Sequence, residues 1–248
     1  MNQVQERSKV PEVTLVFWFI KILATTLGET GGDAVSMSMH LGYLVGTAIF
    51  AAVFFVSVAA QIRARGFHPF LYWTTIVATT TVGTTLADFA DRSLGIGYAG
   101  GSLLLALLLA GSLAAWHLSL GTVSVEQIRS RKSELFYWVT IMFSQTLGTA
   151  LGDWMADSAG LGYRGAAAIF GVLLAAVALA YYRTRLSRAA LFWSAFILTR
   201  PLGAVVGDFL DKPLSARPPA LSRFSASGAL VLLMVGGILL YGRGRPQQ

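Results

Sequence analysis

The chain has 248 residues, 55% of them hydrophobic and only 12% charged, with a mean hydropathy of +0.63. Soluble domains carry about a quarter charged residues, so this composition excludes an ordinary soluble protein, and the absence of cysteine excludes a disulfide framework or thiolate metal site. The net charge of +7 is explained by membrane topology rather than by nucleic acid, which is not expected as a partner.

Residues 1–14, MNQVQERSKVPEVT, are polar and mixed in charge. The apolar stretch that follows contains Lys21 and ends in the acids of TLGETGGD (26–33) instead of a small-residue cleavage site, so no signal peptide is expected. Apolar stretches of the length a ~30 Å hydrocarbon core requires then recur along the chain.

They recur in register. Trp18, Trp73, Trp138 and Trp193 are each followed ten residues later by Gly28, Gly83, Gly148 and Gly203, and fifteen residues later by Asp33, Asp88, Asp153 and Asp208. Three copies continue into Gly-Tyr (Gly42-Tyr43, Gly97-Tyr98, Gly162-Tyr163) and a long apolar run; the fourth has the proline-bearing DKPLSARPPALSRF there. Each unit reads as two helices, giving repeats of approximately 12–65, 67–122, 132–186 and 187–244 within halves 12–122 and 132–244, in one transmembrane domain. The polar linker VSVEQIRSRKSE lengthens the middle tryptophan spacing to 65 residues from 55 on either side. Units with an even number of spans share one orientation, so these are parallel repeats. The expected fold is an all-α membrane protein of eight transmembrane helices, the odd helices forming an inner bundle.

Loop charges orient it. Arg7, Lys9, Arg63, Arg65, Arg129, Arg131, Lys132, Arg183, Arg185, Arg188, Arg243 and Arg245 lie on the side of the termini. Only Arg92, Arg164, Lys212, Arg217 and Arg223 lie on the other, which predicts cytoplasmic termini. The tryptophans then sit near the cytoplasmic interface, where aromatic belts form, and the aspartates toward the outer side.

The fourfold Trp/Gly/Asp register resembles a bacterial multi-pass membrane family defined by four tandem two-helix, tryptophan-bearing repeats of unknown function. The resemblance implies a multi-pass protein of the bacterial inner membrane and says nothing of activity.

At about 100° per residue, the polar and small residues of each odd helix fall in one arc. It holds the pairs Gly28/Gly32, Gly83/Ala87, Gly148/Gly152 and Gly203/Gly207, which allow close backbone approach. Thr25, Thr80, Gln145 and Arg200 share one register in it, and Lys21 and Glu29 belong to it in the first copy only. The even helices carry no charge within their apolar runs. Packing alone accounts for the glycines; three of them in TLGETGGD would also permit a broken helix around a site.

Buried carboxylates are functional candidates by default. Asp33, Asp88, Asp153 and Asp208 are expected to form a central ring, with Glu29 as an added ligand and Lys21 and Arg200 balancing charge. Surplus carboxylates in apolar surroundings must gather a cation or hold protons. The same five acids are therefore the expected ligands of a divalent cation, Mn²⁺, Mg²⁺ or Ca²⁺ in type, which is the single cofactor suggested. Asp91, Asp157 and Asp211 are expected at helix caps or in outer water, and Pro201 to kink the seventh helix beside Arg200. GETGGD loosely resembles the acidic motifs of manganese and calcium exchangers but has Asp33 one place late and no Lys-Thr after it. Met37, Met39 and His40 read as a helix end rather than a soft-metal site.

No nucleophile–base set, metalloprotease motif or phosphate loop appears, so no enzyme is expected. The expected function is transport of a small cation with proton coupling, the partners being the lipid bilayer and a small cation or proton; a homo-oligomer is compatible with it. Two other readings stay open: a structural or sensory membrane module whose aspartates serve interhelical hydrogen bonds, and a carrier of an anionic or organic solute centred on Arg200.

Overall fold

The computed structural model describes residues 8–212 and 221–241. Arg7, Arg217, Arg243, Arg245 and the proline-bearing stretch of the fourth repeat lie outside the described residues. Eight long helices make up the described chain: α1 (Leu15–Asp33), α2 (Gly42–Arg63), α3 (Pro69–Asp88), α4 (Tyr98–Leu120), α5 (Arg131–Asp153), α6 (Gly162–Arg183), α7 (Arg188–Asp211) and α8 (Arg223–Tyr241).

Local chemistry sets the ends of the odd helices. Thr14 accepts the Phe17 N–H at the start of α1, and His68 caps α3 with Pro69 at its first position. Ser130 and Ser133 form a reciprocal capping box on α5, and Ser187 caps α7. α1 runs unbroken through Gly31-Gly32. α7 likewise continues as one helix through Pro201.

In the first three repeats the helix widens into a π turn directly after the aspartate, at Ala34–Ser38, Phe89–Ser93 and Trp154–Ser158. The chain reverses at the Gly-Tyr motif, where Gly42, Gly97 and Gly162 take φ of +76°, +80° and +62°. Side chains avoid that region, which accounts for glycine at all three turns. His40 also has positive φ, at 55°, and is exposed, so Met37, Met39 and His40 are a helix end and turn.

α1, α3, α5 and α7 pack in a closed ring, α1 and α5 each touching both α3 and α7. The ring is cyclic down to single residues. A Cβ added at Gly28, Gly83, Gly148 or Gly203 would overlap the next repeat, at Thr80, Gln145, Arg200 and Thr25 in turn. Where the helices touch, hydroxyls bond across: Thr80 Oγ1 donates to the Ala24 carbonyl at 3.3 Å and Thr25 Oγ1 to that of Thr199 at 3.3 Å.

The even helices pack outside the ring, each against the odd helix of the following repeat: α2 on α3, α4 on α5, α6 on α7, and α8 back on α1. Only slight contact joins the two helices of one sequence repeat. The outward faces of the even helices expose large apolar side chains, among them Phe55, Val56, Leu103, Leu107, Val172 and Leu232, as a surface facing hydrocarbon does.

By length and composition α2, α4, α6, α7 and α8 can cross a membrane. α1, α3 and α5 are similarly long but more polar. α1 contains Lys21, Glu29 and Asp33, and α3 buries six threonines.

At the end of the bundle where the chain begins, the tryptophans turn inward instead of forming a lipid-facing belt. Trp73, Trp138 and Trp193 are buried and Trp18 half-buried. Each packs at a tilt or edge-on against the residue before the preceding tryptophan: Phe17 with Trp73 at 5.4 Å, Tyr72 with Trp138 at 5.8 Å, Tyr137 with Trp193 at 6.2 Å and Phe192 with Trp18 at 5.7 Å. Tyr72 and Tyr137 share a hydroxyl hydrogen bond of 2.6 Å. The linker between halves packs here too, burying Val125 and Ile128, with the Trp193 indole N–H donating to the Val123 carbonyl at 2.9 Å.

Candidate functional site

Beyond the aromatic end, where Lys9 pairs with the buried Glu134 of α5 at 2.6 Å, the next charge in the bundle is Lys21. Its ammonium is fully buried, 4.1 Å from the centroid of the Phe196 ring, and has no hydrogen-bond partner among the described residues. This differs from a charge-balancing role, because the charge acting on Lys21 is the like charge of Arg200. A lysine three residues after Trp18 meets the aromatic that holds the same register after Trp193, so a cation–π contact replaces an ion pair.

One turn on, Arg200 joins all four odd helices. Its Nη2 lies 2.5 Å from the hydroxyls of Thr84 and Thr149 and 3.0 Å from Glu29 Oε2. The Thr84 hydroxyl also donates to Glu29 Oε2 at 3.1 Å. Glu29, Thr84 and Thr149 each stand eleven residues after their tryptophan. Sequence reasoning missed the two threonines, and that shared register is the signal that would have found them. Arg200 Nε and Nη1 stay buried without partners among the described residues.

Thr25, Thr80 and Gln145 lie at the same level as ring-packing residues, each against a glycine of the preceding repeat. Gln145 is wholly buried and both its amide atoms lack partners among the described residues.

The four aspartates are all buried, but they do not form one even ring of ligands. Oxygens of Glu29, Asp33 and Asp208 lie within 4.8 Å of one another. Asp88 stands apart, held by Arg92 of its own next turn at 2.8 Å. Asp153 lies outside the three-acid group and in electrostatic reach of Lys212, Glu29 and Asp88.

The tyrosines of the Gly-Tyr turns are in electrostatic reach of the aspartate of the following repeat: Tyr43 of Asp88, Tyr98 of Asp153 and Tyr163 of Asp208. The fourth repeat has no such tyrosine, and Asp33 is faced instead by Lys212 and Arg223, at 3.3 and 3.9 Å.

Lys212 was not among the expected site residues, because its neighbour Asp211 and its position past the helix suggested outer water. The structure turns both inward. Lys212 Nζ lies 2.6 Å from Asp208 Oδ1, and Asp211 is buried beside Arg223 at 3.7 Å. Of the other second-set acids, Asp157 is exposed and Asp91 half-buried. Burial works against the charge on Lys212, but Asp208, Asp33 and Asp153 outweigh it and hold the ammonium protonated well above the ordinary lysine range.

The surplus of five acids over two cations is therefore reduced by Lys212, Arg92 and Arg223. A compact three-carboxylate group remains between α1 and α7, with Asp33 Oδ1 buried and unpartnered among the described residues. Carboxylate oxygens so grouped suit a hard cation.

The model of the Repeat of Unknown Function (DUF347) matches the chain at residues 16–67, 71–122, 136–187 and 191–245, one match for each tryptophan-bearing unit. No curated protein and no solved structure matches it.

Proposed function

The chain belongs to the family of this four-times-repeated unit, DUF347, and from that premise we propose that it is a bacterial inner-membrane transporter of a small cation. In this reading all eight helices span the bilayer, the odd ones forming the inner bundle, with both termini cytoplasmic. The three more polar helices cross because the outer helices screen them from lipid. The aromatic end then faces the cytoplasm and the carboxylate end the outside.

The observation that carries the reading is the group of Glu29, Asp33 and Asp208, whose oxygens lie within 4.8 Å of one another in a buried setting. Carboxylates brought so close repel unless a cation or a proton stands among them. A site that exchanges one for the other is the elementary part of a proton-coupled cation carrier. Asp153 extends the negative potential around it.

The test is cation uptake into proteoliposomes with Mn²⁺, Ca²⁺ and Na⁺, beside thermal melting in detergent. Saturation of a folded-state site at 100 times its dissociation constant adds about 2.7 kcal/mol, enough to shift melting. One cation should raise the melting temperature and enter vesicles, and Asp208→Asn should lose both while remaining folded. Uptake unchanged in Asp208→Asn would sink the proposal.

The unpartnered donors of Lys21 and Arg200 favour one other reading, a carrier of an anionic or organic solute. In that case Arg200→Gln would abolish transport and Asp208→Asn would not.

A further inference from the structure

Lys212 stands four residues after Asp208, and the equivalent positions after the other aspartates are Met37, Arg92 and Asp157. Arg92 pairs with the aspartate of its own helix. Lys212 does this too, at 2.6 Å, and also reaches across the seam between the last repeat and the first to Asp33 at 3.3 Å. Its ammonium therefore sits against two of the three carboxylates that approach one another within 4.8 Å. A free cation bound by Asp33 and Asp208 needs the same oxygens, and the two positive charges cannot share them.

Lys212 follows the last residue of α7, its side chain is 12% exposed, and a lysine carries its ammonium on a flexible four-carbon stem. Neighbouring charges keep a negative surplus for an incoming ion. Glu29 belongs to Arg200 at 3.0 Å, while Arg223 is more distant from both Asp33 and Asp211, at 3.9 and 3.7 Å.

We propose that Lys212 is a tethered competing cation: its ammonium occupies the Asp33–Asp208 side of the three-carboxylate group, and a free cation binds there by displacing it. This rests on the cation reading above. It makes the site self-satisfied when empty and sets the affinity of the free ion by competition.

The absence of cysteine from these 248 residues gives a direct test, since Lys212→Cys creates the sole thiol among them. Titration of the purified protein with Mn²⁺, and separately with Ca²⁺, should give at least about tenfold tighter binding in Lys212→Cys than in the wild type, a difference of ~1.4 kcal/mol. Aminoethyl methanethiosulfonate restores an ammonium at that position and should return the affinity to the wild-type value; the neutral methyl reagent should not.

A second measurement uses the unmodified protein. Saturating Mn²⁺ should accelerate acetylation of Lys212 severalfold, read by peptide mass spectrometry, because displacement exposes the amine. If the wild type binds an ion, Asp208→Asn does not, and Lys212→Cys binds no more tightly or acetylation is not accelerated, the tethered-cation proposal falls and the cation reading stands. If neither the wild type nor Lys212→Cys binds either ion, both fall.

Discussion

Arg200 shows how one side chain can close a ring of helices. Its guanidinium comes from α7 and is held by Glu29 of α1, Thr84 of α3 and Thr149 of α5. Removing one partner of a buried pair leaves an uncompensated charge, a loss of about 3–5 kcal/mol, whereas replacing both is often far milder. Glu29→Gln should therefore lower the melting temperature strongly, and Arg200→Gln likewise. The double variant should melt above either single one, because neither charge is left alone. Additive losses in the double variant would show that the pair is not coupled in this way.

Between elements, the decisive contacts are those where a missing side chain lets two odd helices touch. A Cβ on Gly148 would overlap the Arg200 stem and stand 3.0 Å from Pro201 Cδ, while one on Gly111 of α4 meets nothing within 4 Å. Overpacking of this kind costs about 1–3 kcal/mol, so Gly148→Ala should lose that much stability. Gly111→Ala should be neutral or gain up to about 1 kcal/mol from helix propensity. Melting of the two variants side by side checks it; equal behaviour would remove the argument for close α5–α7 packing. The Pro201 ring lies at the same contact, against Gly148 of α5.

Taken whole, the molecule is a ring whose sequence unit differs from its packing unit. The repeat in sequence is an odd helix and the even helix after it, yet the packed pairs are α2 with α3, α4 with α5, α6 with α7 and α8 with α1. Cutting the chain between Arg129 and Ser130 separates two halves, each lacking both a covering helix and two of its ring contacts. Fragments 1–129 and 130–248 should therefore be degraded when expressed singly and should co-purify and resist protease when expressed together. A half that is stable alone would mean that the interlocking between repeats matters little.

Much was legible in the sequence because repetition makes local rules visible four times over. The Trp/Gly/Asp register, the glycine faces and the polar arc of the odd helices follow from helical periodicity, and the matched family repeats the same unit. Other features were settled only by the tertiary structure. Which glycine meets which residue depends on the order of helices around the ring. The tryptophans turn inward because each finds an aromatic partner on the neighbouring helix. Lys21 meets Phe196 and not a carboxylate, and Lys212 meets Asp33 from the far end of the chain. Periodicity fixes the face on which a residue lies; the partner it finds there is fixed by closing the ring, which brings the first repeat against the last.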